Sequence, residues 1–313
     1  MTSPLKSQKK LQLALRGNKI LVILGPTASG KSDLAIQLAK KLKGEVISAD
    51  SRQVYRGMDI GTGKVTKREQ RIVPHRLLDI ADPKRDFSVA RYKKLAQKIL
   101  CDIQKRSKLP IIVGGTGLYI DALLNRVSWP EVPPNKKLRA KLAKQSTEQL
   151  FKQLQKLDPR RAKSIDPHNK HRLIRALEIV VGTGKPVPVP LKGASASNVT
   201  WIGINPGKEE LARNIEKRLT ARLGQGMLNE VRKLHRSGVS WKRLGGFGLE
   251  YRWIARYLQK KISEQEMRAG LLRDIVRYSK RQMMWFKRNK EIRWFTTAQH
   301  ALRALSRERL LLS

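Results

Sequence analysis

The hydrophobic positions of this chain change period several times. Ile20 to Leu24 (ILVIL) is an unbroken apolar run that stops at a glycine-rich turn, the pattern of a strand buried on both faces of a parallel sheet. From Asp33 to Leu42 the apolar residues fall at 34, 35, 38, 39 and 42, a helical spacing. Glu45 to Ala49 reads as a second strand and closes a βαβ unit. Ser88 to Lys105 predicts an amphipathic helix with Ser88 as its N-cap. Ile111 to Val113 predicts a third strand, ending at Gly114-Gly115, and Thr200 to Ile204 a fourth. Pro130 to Lys185 between them reads as helical and strongly basic. Trp129-Pro130 and Pro133-Pro134 bound it on one side, and the Gly- and Pro-rich stretch Gly182 to Pro190 on the other. From Pro206 onward the chain reads as helices.

These elements divide the 313 residues into an α/β core over 19–128 and 198–313, a helical insertion over 129–197 and a basic tail over 1–18, expected to be mobile. Charge sharpens the picture. Lys and Arg number 67 against 25 Asp and Glu, a net +42, far beyond what solubility needs. A polyanionic partner is the simplest physical reason, since each neutralised phosphate releases counterions. Cys101 is the single cysteine, so no intrachain disulfide can form; its spacing puts it on a helix off the main apolar stripe. No apolar run reaches membrane-spanning length and no signal-peptide core opens the chain, so a cytoplasmic protein is expected.

The strongest local motif is Gly25-Pro26-Thr27-Ala28-Ser29-Gly30-Lys31-Ser32. It matches G-x-x-x-x-G-K-[ST], with a strand before it and a helix after it. Glycines let backbone N–H groups curl around phosphate oxygens, and the helix N-terminus adds its dipole. Lys31 supplies a point charge to a terminal phosphate, and Ser32 can hold Mg²⁺. The expected fold is therefore a P-loop NTPase-like parallel sheet flanked by helices, with a helical insertion and a helical C-terminal region. Hydrolytic machinery is not evident: the Ile111 strand ends in Gly114-Gly115-Thr116-Gly117 rather than in a metal-holding Asp. Group transfer from a diphosphate fits better. Asp50 ends the second strand, at the sheet edge where ligands bind in such folds. A carboxylate there can accept a proton from an attacking amine, or it can be an ordinary turn aspartate. Ser51, Arg52 and Gln53 follow it as groups able to read a substrate.

In order along the chain come GPTASGKS (25–32), SADSRQVYRGMDIGTG (48–63), PHRLLDIADP (74–83), IVGGTGLY (112–119), RLIRALE (172–178), Arg218, and RYSKRQMMW (277–285). Together, from about Ile20 to Phe295, they resemble the tRNA dimethylallyltransferase family. The resemblance implies a monomeric enzyme. Its donor, dimethylallyl diphosphate, would sit in the P-loop (Gly25 to Ser32) with Mg²⁺ at Ser32. Its acceptor would be the N6 amine of the adenosine 3′ of the anticodon in tRNA, flipped from its stack. Asp50 matches the family's general base, Thr27 the threonine near the bridging oxygen of the donor, and Lys31 and Arg218 the diphosphate-stabilising cations. Asp50, Ser51, Arg52, Gln53, Thr116, Arg139, His171, Arg172, Leu173, Ile174 and Arg175 match tRNA contacts. The stretch Gly245 to Trp253 (GGFGLEYRW) departs from the commoner glycine-tyrosine-Arg/Lys pattern, and no individual contact is carried over there.

Two alternatives use the same cradle: a P-loop kinase acting on a small molecule, and a nucleic-acid-binding P-loop protein without catalysis. His75 reads equally as a turn residue or a phosphate contact. His168 and His171 lack the further ligands of a metal site. Trp285, Phe286, Trp294 and Phe295 read as a helix face packing on the core, and Arg277, Lys280 and Arg281 as one basic stripe.

Overall fold

The computed structural model describes residues 19–126, 132–188 and 198–307. The basic tail, Trp129-Pro130 and the end of the Gly/Pro-rich stretch at 189–197 lie outside the described residues. Chain contacts divide the molecule into two compact units, Met1–Leu124 with Ser195–Ser313, and Asn125–Ala194.

The larger unit is built on a six-stranded sheet in the order β3-β2-β4-β1-β5-β6. Its strands are β1 (Ile20–Leu24), β2 (Glu45–Ser48), β3 (His75–Arg76), β4 (Pro110–Gly114), β5 (Val199–Ile204) and β6 (Arg293–Phe295). Every neighbouring pair is parallel, and Ile23 lies opposite Val113 on one side and Ile202 on the other. Side chains of a strand alternate between faces, so an all-apolar β1 requires cover on both. Ile20, Val22 and Leu24 join one buried layer, Leu21 and Ile23 the other.

The second layer is covered by α1 (Lys31–Lys41) through Leu34, Ala35, Leu38 and Ala39, and by α14 (Ala298–Arg307) through Ala301 and Leu305. On the first lie α3 (Val89–Lys105), capped by Ser88 as expected, and α4 (Gly117–Leu123). The same layer holds α9 (Lys208–Gly224), α10 (Met227–Arg236), α11 (Trp241–Phe247), α12 (Leu249–Leu258) and the long α13 (Glu264–Phe286). The short α2 (Lys67–Ile72) precedes β3 and buries no residue. No helix among the described residues is long and apolar enough to cross a membrane.

Two edge strands differ from the sequence expectation. The C-terminal region is not wholly helical: Arg293–Phe295 forms β6, and Trp294 and Phe295 sit on that strand rather than on a helix with Trp285 and Phe286. Three residues with only Phe295 buried carry no readable period; their pairing with Ile202, Gly203 and Ile204 makes them a strand. His75, read equally as a turn residue or a phosphate contact, is likewise on a strand, the two-residue β3, which pairs with Val46 and Ile47.

The smaller unit contains α5 (Lys136–Ala143), α6 (Thr147–Leu157), α7 (Pro159–Ser164) and α8 (Lys170–Thr183). Asn135, Ser146, Asp158 and Asn169 each accept a backbone N–H in the first turn of the helix they precede, the short-range reason that four helices start here. Leu142, Leu150, Leu154, Leu173 and Leu177 form its core.

Candidate active site

The P-loop leaves β1 through two left-handed positions, Ala28 (φ 65) and Gly30 (φ 84), before α1 begins at Lys31. Such a curl turns successive backbone N–H groups inward, the geometry of an anion nest. Lys31 reaches back to donate to the Pro26 carbonyl at 3.2 Å. Burial and then the Arg218 charge push its pKa down to about 8. Arg218, from α9, donates to the Thr27 hydroxyl. Burial, then Arg222, pushes it down to about 9, still cationic at neutral pH. Crowded cations that depress one another form a site completed by an anion.

At the end of β2, Asp50 uses one oxygen for the chain: Oδ1 accepts the N–H of Arg52 at 2.8 Å and of Gln53 at 3.4 Å. That Asx-type turn fixes the carboxylate. Two cavities meet beside it. One is lined by Lys31, Ser32, Gln53, His75, Arg218 and Gln282, among others. The second, larger one is lined by Ser51, Arg52, Arg222, Phe247, Leu249 and Tyr251, among others. Thr27, Asp50, Thr62 and Tyr278 line both. A phosphate cradle thus opens, past a fixed carboxylate, into a larger chamber with aromatic and aliphatic walls.

Residues 53–289 match a family described as IPP transferase, and residues 18–81 one described as isopentenyl transferase. The chain belongs to the IPP transferase family. A tRNA dimethylallyltransferase of Pelotomaculum thermopropionicum is 42% identical over 286 residues, 88% of this chain and 90% of that protein. The crystal structure of a tRNA isopentenylpyrophosphate transferase from Bacillus halodurans is similar with a TM-score of 0.68 at 36% identity, covering 93% of this chain and 97% of that one. A eukaryotic dimethylallyltransferase acting on tRNA is similar with a TM-score of 0.77 at 26% identity, over 92% of this chain and 78% of that one.

In this IPP transferase, Thr27, Lys31, Ser32, Asp50 and Arg218 come together at the P-loop cavity, and Ser51 and Arg52 at the larger one. Thr116 precedes α4, and its hydroxyl accepts the Ser51 N–H at 3.2 Å, so it holds the Asp50 turn. Gln53 was expected among the RNA contacts. Its side chain is tied to Ser48 Oγ (3.0 Å) and to the Thr62 and Gly63 carbonyls (3.4 and 3.2 Å), and it lines the P-loop cavity. In the smaller unit, His171 and Arg172 are exposed at the start of α8. Leu173 is instead fully buried, and Ile174 packs against the same core; their side chains serve packing. Arg139 and Arg175 converge on the buried carboxylate of Glu178, Arg139 through a two-pronged bond at 2.7 Å on each arm. Arg175 also donates to the Val132 carbonyl at 3.1 Å, and the two arginine side chains remain 43% and 36% exposed.

Several residues that shape the site were not singled out beforehand. Gln282 bridges the P-loop and β4. Glu230 of α10 accepts the N–H groups of Asp59, Ile60 and Gly61 at 2.9, 2.6 and 3.0 Å and the Tyr251 hydroxyl at 2.8 Å, fixing the loop before Thr62. Arg222 follows Arg218 by one turn on α9. The i, i+4 spacing of Arg218 with Arg222, and of Tyr278 with Gln282, is the signal that could have marked them.

Proposed function

We infer that this chain transfers a dimethylallyl group from dimethylallyl diphosphate to the exocyclic N6 amine of the adenosine 3′ of the anticodon in tRNAs, releasing diphosphate. The observation that carries the reading is the junction of two cavities at Thr27 and Asp50: a diphosphate in the P-loop and a base in the larger chamber would meet there. Family membership and the names of the relatives support it.

In this mechanism the N6–carbon bond forms as the allylic carbon–oxygen bond breaks, and negative charge grows on the departing diphosphate. Lys31, Arg218 and the P-loop amides oppose that charge with little reorganisation. Thr27, its hydroxyl held by Arg218, is within the donor cavity to hydrogen-bond the bridging oxygen. As nitrogen becomes cationic its proton passes to the Asp50 oxygen not used in the turn. The donor set beside the P-loop is oxygen, led by the Ser32 hydroxyl, and fits Mg²⁺, which keeps several waters and takes phosphate oxygens. Mg²⁺ at Ser32 would neutralise part of the diphosphate charge. Ser51 and Arg52 would meet the anticodon loop, and His171 and Arg172 would reach RNA phosphates from the helical unit. The protein would work as a monomer in the cytoplasm.

The test is incubation with Mg²⁺, dimethylallyl diphosphate and an unmodified tRNA transcript, followed by nuclease mapping and mass spectrometry. The expected result is one prenyl-sized gain on the adenosine 3′ of the anticodon, absent with D50A although D50A still binds tRNA. A D50A protein that turns over normally would remove Asp50 as the base, and wild type giving no gain on any tRNA would overturn the reading.

A further inference from the structure

Arg222 is a buried cation whose position the transfer chemistry leaves without a task. Its side chain is 12% exposed, yet its two contacts are long: Nη1 lies 3.5 Å from the Gly61 carbonyl and 3.7 Å from Glu250 Oε1. A guanidinium carries five N–H donors, and both of these long contacts fall on Nη1. Its Nη2 lies against Gly63, where an added Cβ would come within 1.6 Å of it, and the side chain also faces the larger cavity. Arg222 lines the larger cavity and not the donor cavity, whereas Arg218, one turn earlier on the same helix, lines the donor cavity.

The other walls of that chamber say what would fill it. Phe247, Leu249 and Ile275 give it apolar surface, and Asp50 is its acceptor beside the reacting centre. A flipped adenine offers a hydrogen-bond donor, the N6 amine, flanked by two ring acceptors, N1 and N7. Guanine reverses two of the three, with an oxygen at the exocyclic position and a proton on N1, and keeps N7 as an acceptor. A carboxylate at the amine therefore complements adenine and opposes guanine, and a guanidinium donor at N1 does the same, whereas at N7 it suits both purines. Glu250 holds Arg222 on this side; burial pushes its own pKa up, and Arg222 works against that.

We propose that Arg222 reads the acceptor base by donating a hydrogen bond to the ring nitrogen beside the target amine, N1 or N7. The inference rests on the acceptor reading above. The bond draws electron density from the ring, so the N6 proton becomes more acidic as the new carbon–nitrogen bond forms and passes more readily to Asp50. Arg222 thus assists deprotonation of the base from either nitrogen and at N1 also selects adenine over guanine, while Arg218 serves the diphosphate.

A mutant cycle tests this. Wild type and R222M are assayed on anticodon stem–loops carrying adenosine, 1-deaza-adenosine or 7-deaza-adenosine at the modified position. The intrinsic effect of each deaza base on the amine is common to both proteins and cancels in the ratio. One hydrogen bond from a charged donor predicts that one of the two deaza bases costs wild type roughly tenfold to a hundredfold more in kcat/KM than it costs R222M. R222Q, which keeps a neutral donor and much of the shape, should show a smaller coupling of the same sign and serves if R222M does not fold. Equal deaza penalties in wild type and both variants overturn the proposal. So does an R222M whose defect is weaker binding of inorganic diphosphate, since that would move Arg222 to the donor. Failure of wild type to prenylate the adenosine stem–loop at all would instead sink the acceptor reading itself.

Discussion

Gln282 joins the P-loop to the neighbouring strand: its Oε1 accepts the Thr27 N–H at 2.9 Å and its Nε2 donates to the Gly115 carbonyl at 2.8 Å. The approach is close enough that a Cβ on Gly115 would lie 2.2 Å from that nitrogen. The bond fixes Thr27 from behind and takes its amide out of the phosphate nest, leaving the hydroxyl to face the donor. Q282A should leave two backbone groups without partners at about 1–3 kcal/mol each, and lower kcat about tenfold or more with little change in the KM for tRNA. Q282E cannot donate to Gly115 and sets a negative charge beside the diphosphate, so it should also raise the donor KM. Steady-state kinetics with each substrate varied separates the two; wild-type kcat in Q282A would show that the bridge has no part in positioning.

The depressed pKa of Lys31 gives donor binding a pH dependence. In the empty protein Lys31 loses its proton near pH 8 rather than at 10.5, because of burial first and Arg218 second. A bound diphosphate favours the protonated form, so binding above pH 8 must take up a proton. Diphosphate affinity should fall above pH 8 by up to about tenfold per unit, by the linkage relation. Calorimetry at pH 9 in buffers of different ionisation enthalpy should show proton uptake, absent in K31M. The sign for folding is opposite: with the folded pKa below the unfolded one, the unfolded chain holds more protons between about 8 and 10.5, so the empty protein gains stability across that window.

Much of this site was legible in the chain because its parts are local. The P-loop is eight consecutive residues between an apolar run and a helical period, and Asp50 is placed by the end of one strand. The same locality gave β1, β2, β4 and β5. What was not legible is long-range. Gln282 meets Thr27 across 255 positions, and Glu230 meets Ile60 across 170; no spacing rule links them. Strands β3 and β6 are edge pieces whose pairing partners, not their own residues, make them strands. Leu173 shows the converse: a motif gave its place in an RNA-contacting stretch, while the helical period around Leu173, Ala176 and Leu177 already put it in a core.

Glu230 should be the costliest single loss in the larger unit. Its buried carboxylate satisfies three consecutive backbone N–H groups and a buried tyrosine hydroxyl, so E230A strands four donors at once. A destabilisation of about 3–5 kcal/mol is expected, as for removing one partner of a buried charged network. E230Q keeps the shape and should cost less. Y251F removes one bond and leaves the loop held, so it should lower stability by about 1 kcal/mol. Denaturant titration of the three variants orders them; E230A within about 0.5 kcal/mol of wild type would mean that the 59–61 loop does not depend on this carboxylate.

Acid should weaken both units through two buried carboxylates. The Arg106 hydrogen bond, with those of Arg76 and Lys108, holds Glu45 at about 2 despite its burial. Burial would raise Glu178, but hydrogen bonds from Arg139 and Arg175 and the Asn135 N–H bring it to about 2 as well. Both folded values lie below the ordinary 4.5, so the stability these groups contribute is complete above about pH 4.5 and is lost as pH falls toward 2. The partners are 36–43% exposed on their side chains, so solvent screens part of each pairing. Thermal melts of E45Q and E178Q against wild type should therefore differ most near pH 6 and converge toward pH 2. A gap that stays constant across that range would mean that packing, and not charge, is what each glutamate supplies.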